Sequence, residues 1–291
     1  MPENKQHFNL IIAPLLKGMG QILLQKSSLS GLLILIGICC GSLLMGLAAI
    51  IGVSIGTVIA WLLKYDNETI NDGMYGFSAT LVAVALASFF QLTPVIWIGI
   101  IAGSVIATII QHYFIIKKIQ AFTFPFILYI WLFLVASHYF SFPIKNQLAD
   151  TIVLNGTHLF PLTFGEVILQ GNIWAGIFFF SAILINQPIA AIFAVVSVAI
   201  SSIIAYRFNE PSSDINMGML GYNAVVCAIV FAGDKLENVF LAFISIVLSV
   251  LIMIQMRHMN LPALTFPFVL STWITLIIKK AKHTFLLQSK K

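Results

Sequence analysis

The feature that most limits what this chain can become is the length of its charge-free stretches. Ser27 to Leu63, Gly73 to Ile116, Ile119 to Ile144, Val167 to Tyr206, Asn238 to Met256 and Met259 to Ile278 contain no Asp, Glu, Lys or Arg. A helix that crosses hydrocarbon needs about 20 apolar residues, so the longest of these stretches must each hold two spans. A soluble domain would be roughly a quarter charged, whereas here 9% of the residues are charged. The apolar runs are long and lack the ten-residue alternation between polar turns that an outer-membrane barrel requires. The chain therefore reads as an all-α polytopic membrane protein.

The basic residues give it an orientation. The formal net charge of +5 is carried in part by Lys279, Lys280, Lys282, Lys290 and Lys291 at the end and Lys5, Lys17 and Lys26 at the start. Under the positive-inside rule both ends lie on the cytoplasmic side of the cell (inner) membrane, which calls for an even number of spans. The same distribution makes this excess a topological signal and not a nucleic-acid surface. The run Leu10 to Leu16 is short, contains Pro14 and has no small-residue cleavage site after it, so it does not read as a secretory signal. Cys39, Cys40 and Cys227 all fall in apolar runs and read as packing residues. No pattern calls for a metal or a cofactor.

Two halves of the chain repeat one another. An offset of 145 places Gly165-Glu166 on Gly20-Gln21, and Leu169, Gln170 and Gly176 on Leu24, Gln25 and Gly31. It also places Asn216, Gly218, Met219, Gly221 and Ala224 on Asn71, Gly73, Met74, Gly76 and Ala79. At Ala121-Phe-Thr-Phe-Pro-Phe126 and Ala263-Leu-Thr-Phe-Pro-Phe268 the offset is 142, so about three residues are expected to be lost in a later loop. Residues 1–145 form the first half, with five spans and a short helix at about 72–82. Residues 146–160 connect the halves, and residues 161–291 form the second half, with five spans, a short helix at about 217–227 and the basic tail. An odd number of spans per half makes the second enter from the opposite side, an inverted repeat with about ten transmembrane helices and two short tilted pore helices. Lys64, Lys117 and Lys118 fit this topology; Arg207, with Glu210 and Asp214 nearby, and Arg257 fall on the outer side.

Three pairs of residues carry chemistry. In each copy of the Thr-Phe-Pro-Phe motif the proline is expected to break a helix and free the carbonyl four residues back, at Ala121 or Ala263, beside Thr123 or Thr265. In hydrocarbon such a break is tolerated where it is buried in protein or lines a wet cavity. The rival reading is two threonines bonded to their own backbones in kinked helices. Gln21 and Glu166 form the second pair, each in an apolar segment where a carboxylate is costly. They read as acceptors for a small polar solute at the two ends of a passage, with Val167 beside Glu166 in the same lining; the alternative is a carboxylate bonded to a helix terminus or to Asn172. The third pair is Phe77 with Leu81, and Tyr222 with Val226, each four apart on one face of a short helix. They form two apolar walls of a slot, with plain core packing as the rival. Rows of acceptors, two apolar walls and no cationic centre suit a thin, neutral molecule that donates hydrogen bonds, and urea fits that chemistry.

The chain also resembles the bacterial-type urea transporters over nearly its whole length. The resemblance rests on Gly218-Met-Leu-Gly-Tyr-Asn223 with its copy Gly73-Met-Tyr-Gly-Phe-Ser78, on Leu261-Pro-Ala-Leu-Thr-Phe-Pro-Phe268 and on Glu166-Val-Ile-Leu-Gln170. It implies ten spans with two tilted helices, a homotrimer with one pore per subunit, and passive, channel-like conduction. By position it also implies outer solute sites at Gln21 and Glu166, a constriction at Thr123 and Thr265, and slot walls from Phe77, Leu81, Tyr222 and Val226. Ser78 stands where this family's pattern has asparagine, and Val226 where it has leucine.

The competing classes leave weaker traces. A channel for ammonia, short amides or water is one, but there are no paired Asn-Pro-Ala loops, and His112 and His138 lack counterparts in the other half. An ion-coupled transporter needs intramembrane charges, for which Glu166 is the clear candidate. A membrane enzyme finds neither a His-Glu-x-x-His pair nor a serine elbow.

Overall fold

The computed structural model describes residues 11–140, 142–145 and 158–288, and these form fourteen helices without a strand. In order they are α1 Ala13–Gln21, α2 Ser28–Gly41, α3 Leu43–Leu62, α4 Asn67–Asn71, α5 Gly76–Phe89, α6 Pro94–Ile116 and α7 Phe124–Phe140. The second set follows as α8 Leu159–Glu166, α9 Ile173–Asn186, α10 Pro188–Arg207, α11 Ser212–Asn216, α12 Tyr222–Phe231, α13 Leu236–His258 and α14 Phe266–Gln288. Seven elements thus recur in the same order.

Local sequence explains where the helices begin. Ser27 caps α2 by accepting from the Ser30 amide at 3.2 Å, and Asn172, its equivalent at the 145 offset, caps α9 by accepting from Trp174 and Ala175. Pro94 and Pro188 open α6 and α10, where a missing N–H costs nothing. Asp66 caps α4, and the Thr69 amide and hydroxyl bonded to its carboxylate hold it below the usual carboxylate range. Four helices, α3, α6, α10 and α13, are each long and apolar enough to cross a membrane, and they are two repeat-related pairs.

The backbone carries the repeat more fully than the residue types do. Ten residues among those described have positive φ, and all ten pair across the halves. They are Leu24 with Leu169, Lys64 with Asn209, Gly73 with Gly218, Lys118 with Asn260 and Phe122 with Leu264. Each pair agrees within a few degrees, Gly73 and Gly218 both lying at φ 77°. At these two the backbone also runs against residues 17–18 and against Thr163, leaving no room for a β-carbon.

Where the offset changes is a correction to the sequence reading. Phe89 to Pro94 and Phe231 to Leu236 are joined by connectors of equal length, so the missing residues come out of the short helix itself. Counting from Phe77 and its equivalent Tyr222, the helical run is three residues shorter in α12 than in α5. The short helices also differ from their expected bounds, since α5 starts at Gly76 and continues to Phe89. The structure also shows where the charges pair. Asp214 is ion-paired with Arg257, and Glu210 meets His258 at 3.0 Å. These partners lie more than forty residues apart in the chain, beyond what proximity in sequence reveals. Lys5, Lys290 and Lys291 and most of the expected connecting segment lie outside the described residues.

The halves meet through reciprocal contacts. Trp131 Nε1 donates to the Pro262 carbonyl and Trp273 Nε1 to the Gln120 carbonyl, both at 2.8 Å. Trp273 is Trp131 shifted by 142, and Pro262 is Gln120 shifted by 142. The ring pairs repeat the exchange, with Phe124 to Trp273 at 5.4 Å and Trp131 to Phe266 at 5.0 Å. A contact in which residue i meets j′ while j meets i′ is the mark of a two-fold axis. The five spans per half expected from the sequence would lay that axis in the membrane plane, the arrangement of an inverted repeat.

Candidate functional site

Thr123 and Thr265 are equivalent by the repeat, so a contact between them falls on the two-fold axis. Their hydroxyls are hydrogen-bonded to each other at 2.7 Å, and both residues are buried. What positions them differs from the sequence expectation. Pro125 and Pro267 do not break a helix interior; they sit in the first turn of α7 and α14, where proline is accommodated. The expected free carbonyls are also taken, since Ala121 accepts from the Phe124 amide and Ala263 from the Phe266 amide, each at 3.0 Å. The reversal that delivers each threonine to the axis is made one residue earlier, by Phe122 at φ 49° and Leu264 at φ 47°. A bulky residue in the left-handed region is strained, so the surrounding packing must hold it there.

From this pair a symmetric series of packed helices runs outward. In one direction α7 packs on α5 and α5 on α1, which ends at Gln21; in the other α14 packs on α12 and α12 on α8, which ends at Glu166. Gln21 Nε2 donates to the Asp72 carbonyl at 2.9 Å, which leaves its amide oxygen as an acceptor. Lys26 holds Asp72 from the side by an ion pair. Glu166 is partly exposed, and its carboxylate has no hydrogen-bond partner among the described residues. Asn172, the expected rival partner, caps α9 through its side-chain oxygen and makes no hydrogen bond to Glu166 among the described residues. Val167 next to Glu166 is buried.

The proposed wall residues Phe77, Leu81, Tyr222 and Val226 are all buried and belong to one apolar cluster that also contains Val167. Tyr222 is more than a wall. Its hydroxyl donates to the Leu264 carbonyl at 2.6 Å, and Asn223 Nδ2 donates to the same oxygen at 3.2 Å. Asn223 Oδ1 in turn accepts from the Phe268 amide at 3.1 Å, closing the start of α14. The sequence reading missed this clamp, although the Tyr-Asn pair against Phe-Ser in the other copy was its visible trace. Replacing Tyr222 by Phe, the residue of the first half, removes one bond and leaves Asn223 on the carbonyl. A net hydrogen bond is worth about 1 kcal/mol, so thermal unfolding in detergent is expected to shift down by roughly 2–4 °C. An unchanged midpoint would show that the hydroxyl does not hold Leu264.

Neither His112 nor His138 is hydrogen-bonded to the threonine pair among the described residues. His112 stacks on Tyr65 with centroids 3.4 Å apart and shares a hydrogen bond of 2.9 Å with the Tyr75 hydroxyl. His138 stands beside Trp131, Pro262 and Phe266 in an apolar groove near the end of α7.

The duplicated all-helical fold, the two-fold contact between its halves and its long apolar helices define a polytopic membrane protein. Comparison with known proteins gives the chain its family. A family model described as urea transporter matches residues 12–280, and the chain belongs to that family. Urea transporter 1 of Rattus norvegicus is 26% identical over an alignment covering 91% of this chain and 76% of the relative. Urea transporter 1 of Ovis aries is 26% identical with 90% and 76% covered, and that of Capra hircus 25% identical with the same coverage.

Proposed function

We propose that this protein carries urea passively, down its gradient, through the path between Gln21 and Glu166. The observation that carries this reading is the pair of repeat-related threonine hydroxyls meeting on the two-fold axis, at the midpoint of a symmetric series of helices with an acceptor at either end. A planar solute with N–H donors meets the Gln21 amide oxygen or the Glu166 carboxylate first. It then passes between Phe77 and Leu81 on one side and Tyr222 and Val226 on the other, with Val167 beside them. At the centre it exchanges bonds with Thr123 and Thr265. Each acceptor offsets part of the cost of leaving water, which for an amide-like group is several kcal/mol without a partner. No large charge moves, so the flux is independent of membrane potential. This is transport and not catalysis, and an ion-coupled alternative would have to rest on Glu166 as its intramembrane charge.

The finer assignments belong to the same reading. The protein works in the cell (inner) membrane with both termini in the cytoplasm, where Lys64, Lys117 and Lys118 also lie. It assembles as a homotrimer with one pore per subunit, as the family resemblance implies.

Stopped-flow light scattering on proteoliposomes under an inward urea gradient tests it. Wild-type protein is expected to pass urea far faster than empty liposomes. Glu166→Gln, which recreates the group at Gln21, weakens a charge-assisted bond by about 1 kcal/mol and is expected to slow the flux roughly fivefold. Folded protein with no urea flux above empty liposomes overturns the reading and turns attention to ammonia and short amides.

A further inference from the structure

The two halves differ in the buried polar residue that follows the first wall residue of the short helix, Ser78 in one and Asn223 in the other. In the second half the Asn223 carboxamide bridges two backbone groups at the start of α14, donating to the Leu264 carbonyl and accepting from the Phe268 amide. The equivalent residues of the first half are Ser78, Phe122 and Phe126. Ser78 is fully buried, and its hydroxyl has no partner among the described residues. Neither the Phe126 amide nor the Phe122 carbonyl has a hydrogen-bond partner among them either. Phe126 is the third residue of α7, so its N–H is one of the donors that a helix start leaves over. Phe77 supplies no hydroxyl where Tyr222 reaches the Leu264 carbonyl.

From these observations we infer that the first half holds a single ordered water between Ser78, Phe122 and Phe126, doing the work that the Asn223 carboxamide does in the second. Chemistry and size both select water. The three groups supply a hydroxyl that can donate or accept, a carbonyl acceptor and an amide donor. A buried water typically makes about three hydrogen bonds to groups of this kind. Serine carries a hydroxyl where asparagine carries a carboxamide, about two heavy atoms fewer, so the room that the substitution opens is about that of one water molecule and too little for urea. A polar group held in the protein with no partner carries a desolvation penalty, which one water relieves for all three at once. The inference does not depend on which solute passes.

A structure of the wild-type protein at a resolution that shows water, paired with one of Ser78→Asn, tests it. The expected wild-type result is a density peak within hydrogen-bond distance of Ser78 Oγ, the Phe122 carbonyl and the Phe126 amide. In S78N the new carboxamide takes over both backbone bonds, the peak disappears, and the unfolding midpoint rises by roughly 2 °C, since one more bond is made within the protein. Wild-type density showing no peak, or the Ser78 hydroxyl bonded directly to a protein group, overturns the inference. Should S78N fail to fold, the peak in the wild type still decides, and Ser78→Ala is expected to weaken it while lowering the midpoint.

Discussion

Replacing Thr265 by Val is expected to slow urea flux about tenfold, and replacing both Thr123 and Thr265 to slow it about a hundredfold, while the double variant is the more stable of the two. The two quantities part company because the hydroxyls bond to each other at 2.7 Å. Valine matches threonine in volume, so the packing around the axis is kept. In the single variant one buried hydroxyl is left without its partner, at a cost of about 1–3 kcal/mol. In the double variant no orphan remains, and much of that stability returns. A passing solute sees the opposite trend. Each hydroxyl removed deletes one group that replaces hydration at the midpoint, worth about 1.4 kcal/mol or a factor of ten. Thermal unfolding and proteoliposome flux measured on all four forms of this cycle separate the two effects. Equal flux in the single and double variants would mean that the solute does not pass between the threonines.

Gly218→Val is expected to abolish assembly of folded protein. Gly218 sits at φ 77°, where a β-branched residue is a genuine outlier. Its missing β-carbon faces the backbone of Thr163, and a backbone cannot swing aside as a flexible side chain can. The left-handed conformation alone costs about 1–2 kcal/mol, and displacing α8 from the start of the short helix adds the loss of its packing. Since native proteins are stable by only about 5–15 kcal/mol, the sum takes a large share. Size-exclusion profiles of the fluorescently tagged protein in detergent read the result directly. Gly73→Val, at the same dihedral in the first half, is expected to behave alike. A monodisperse profile for either would show that the close approach can relax.

The class of fold was legible because composition and repeat both survive in residue types. Charge-free stretches mark spans wherever they occur, and glycine and proline are hard to replace at a turn, so Gly73 and Gly218 could be matched by eye. What was not legible follows from the same logic. The reversals at Phe122, Leu264, Leu24 and Leu169 are made by ordinary apolar residues in a conformation they seldom adopt, which no residue type announces. The prolines that follow therefore read as breaks inside a helix when they are the opening of one. The loss of three residues was assigned to a loop because loops absorb deletions cheaply, yet here the short helix absorbs it. Among the site residues, the threonine pair was legible as a pair and not as a contact. The clamp of Tyr222 and Asn223 on Leu264 spans some forty residues, a distance over which single-sequence patterns are silent.

The exchange of Trp131 and Trp273 across the axis has an ancestral corollary. Each half presents the same patch that it receives, so the joint between them asks for only one kind of surface. A single half-length chain, inserted into the membrane in both orientations, would carry everything needed to make it. Fusing two such copies lets each drift alone, so that Ser78 parts from Asn223 inside the halves while the tryptophan seam between them stays in register.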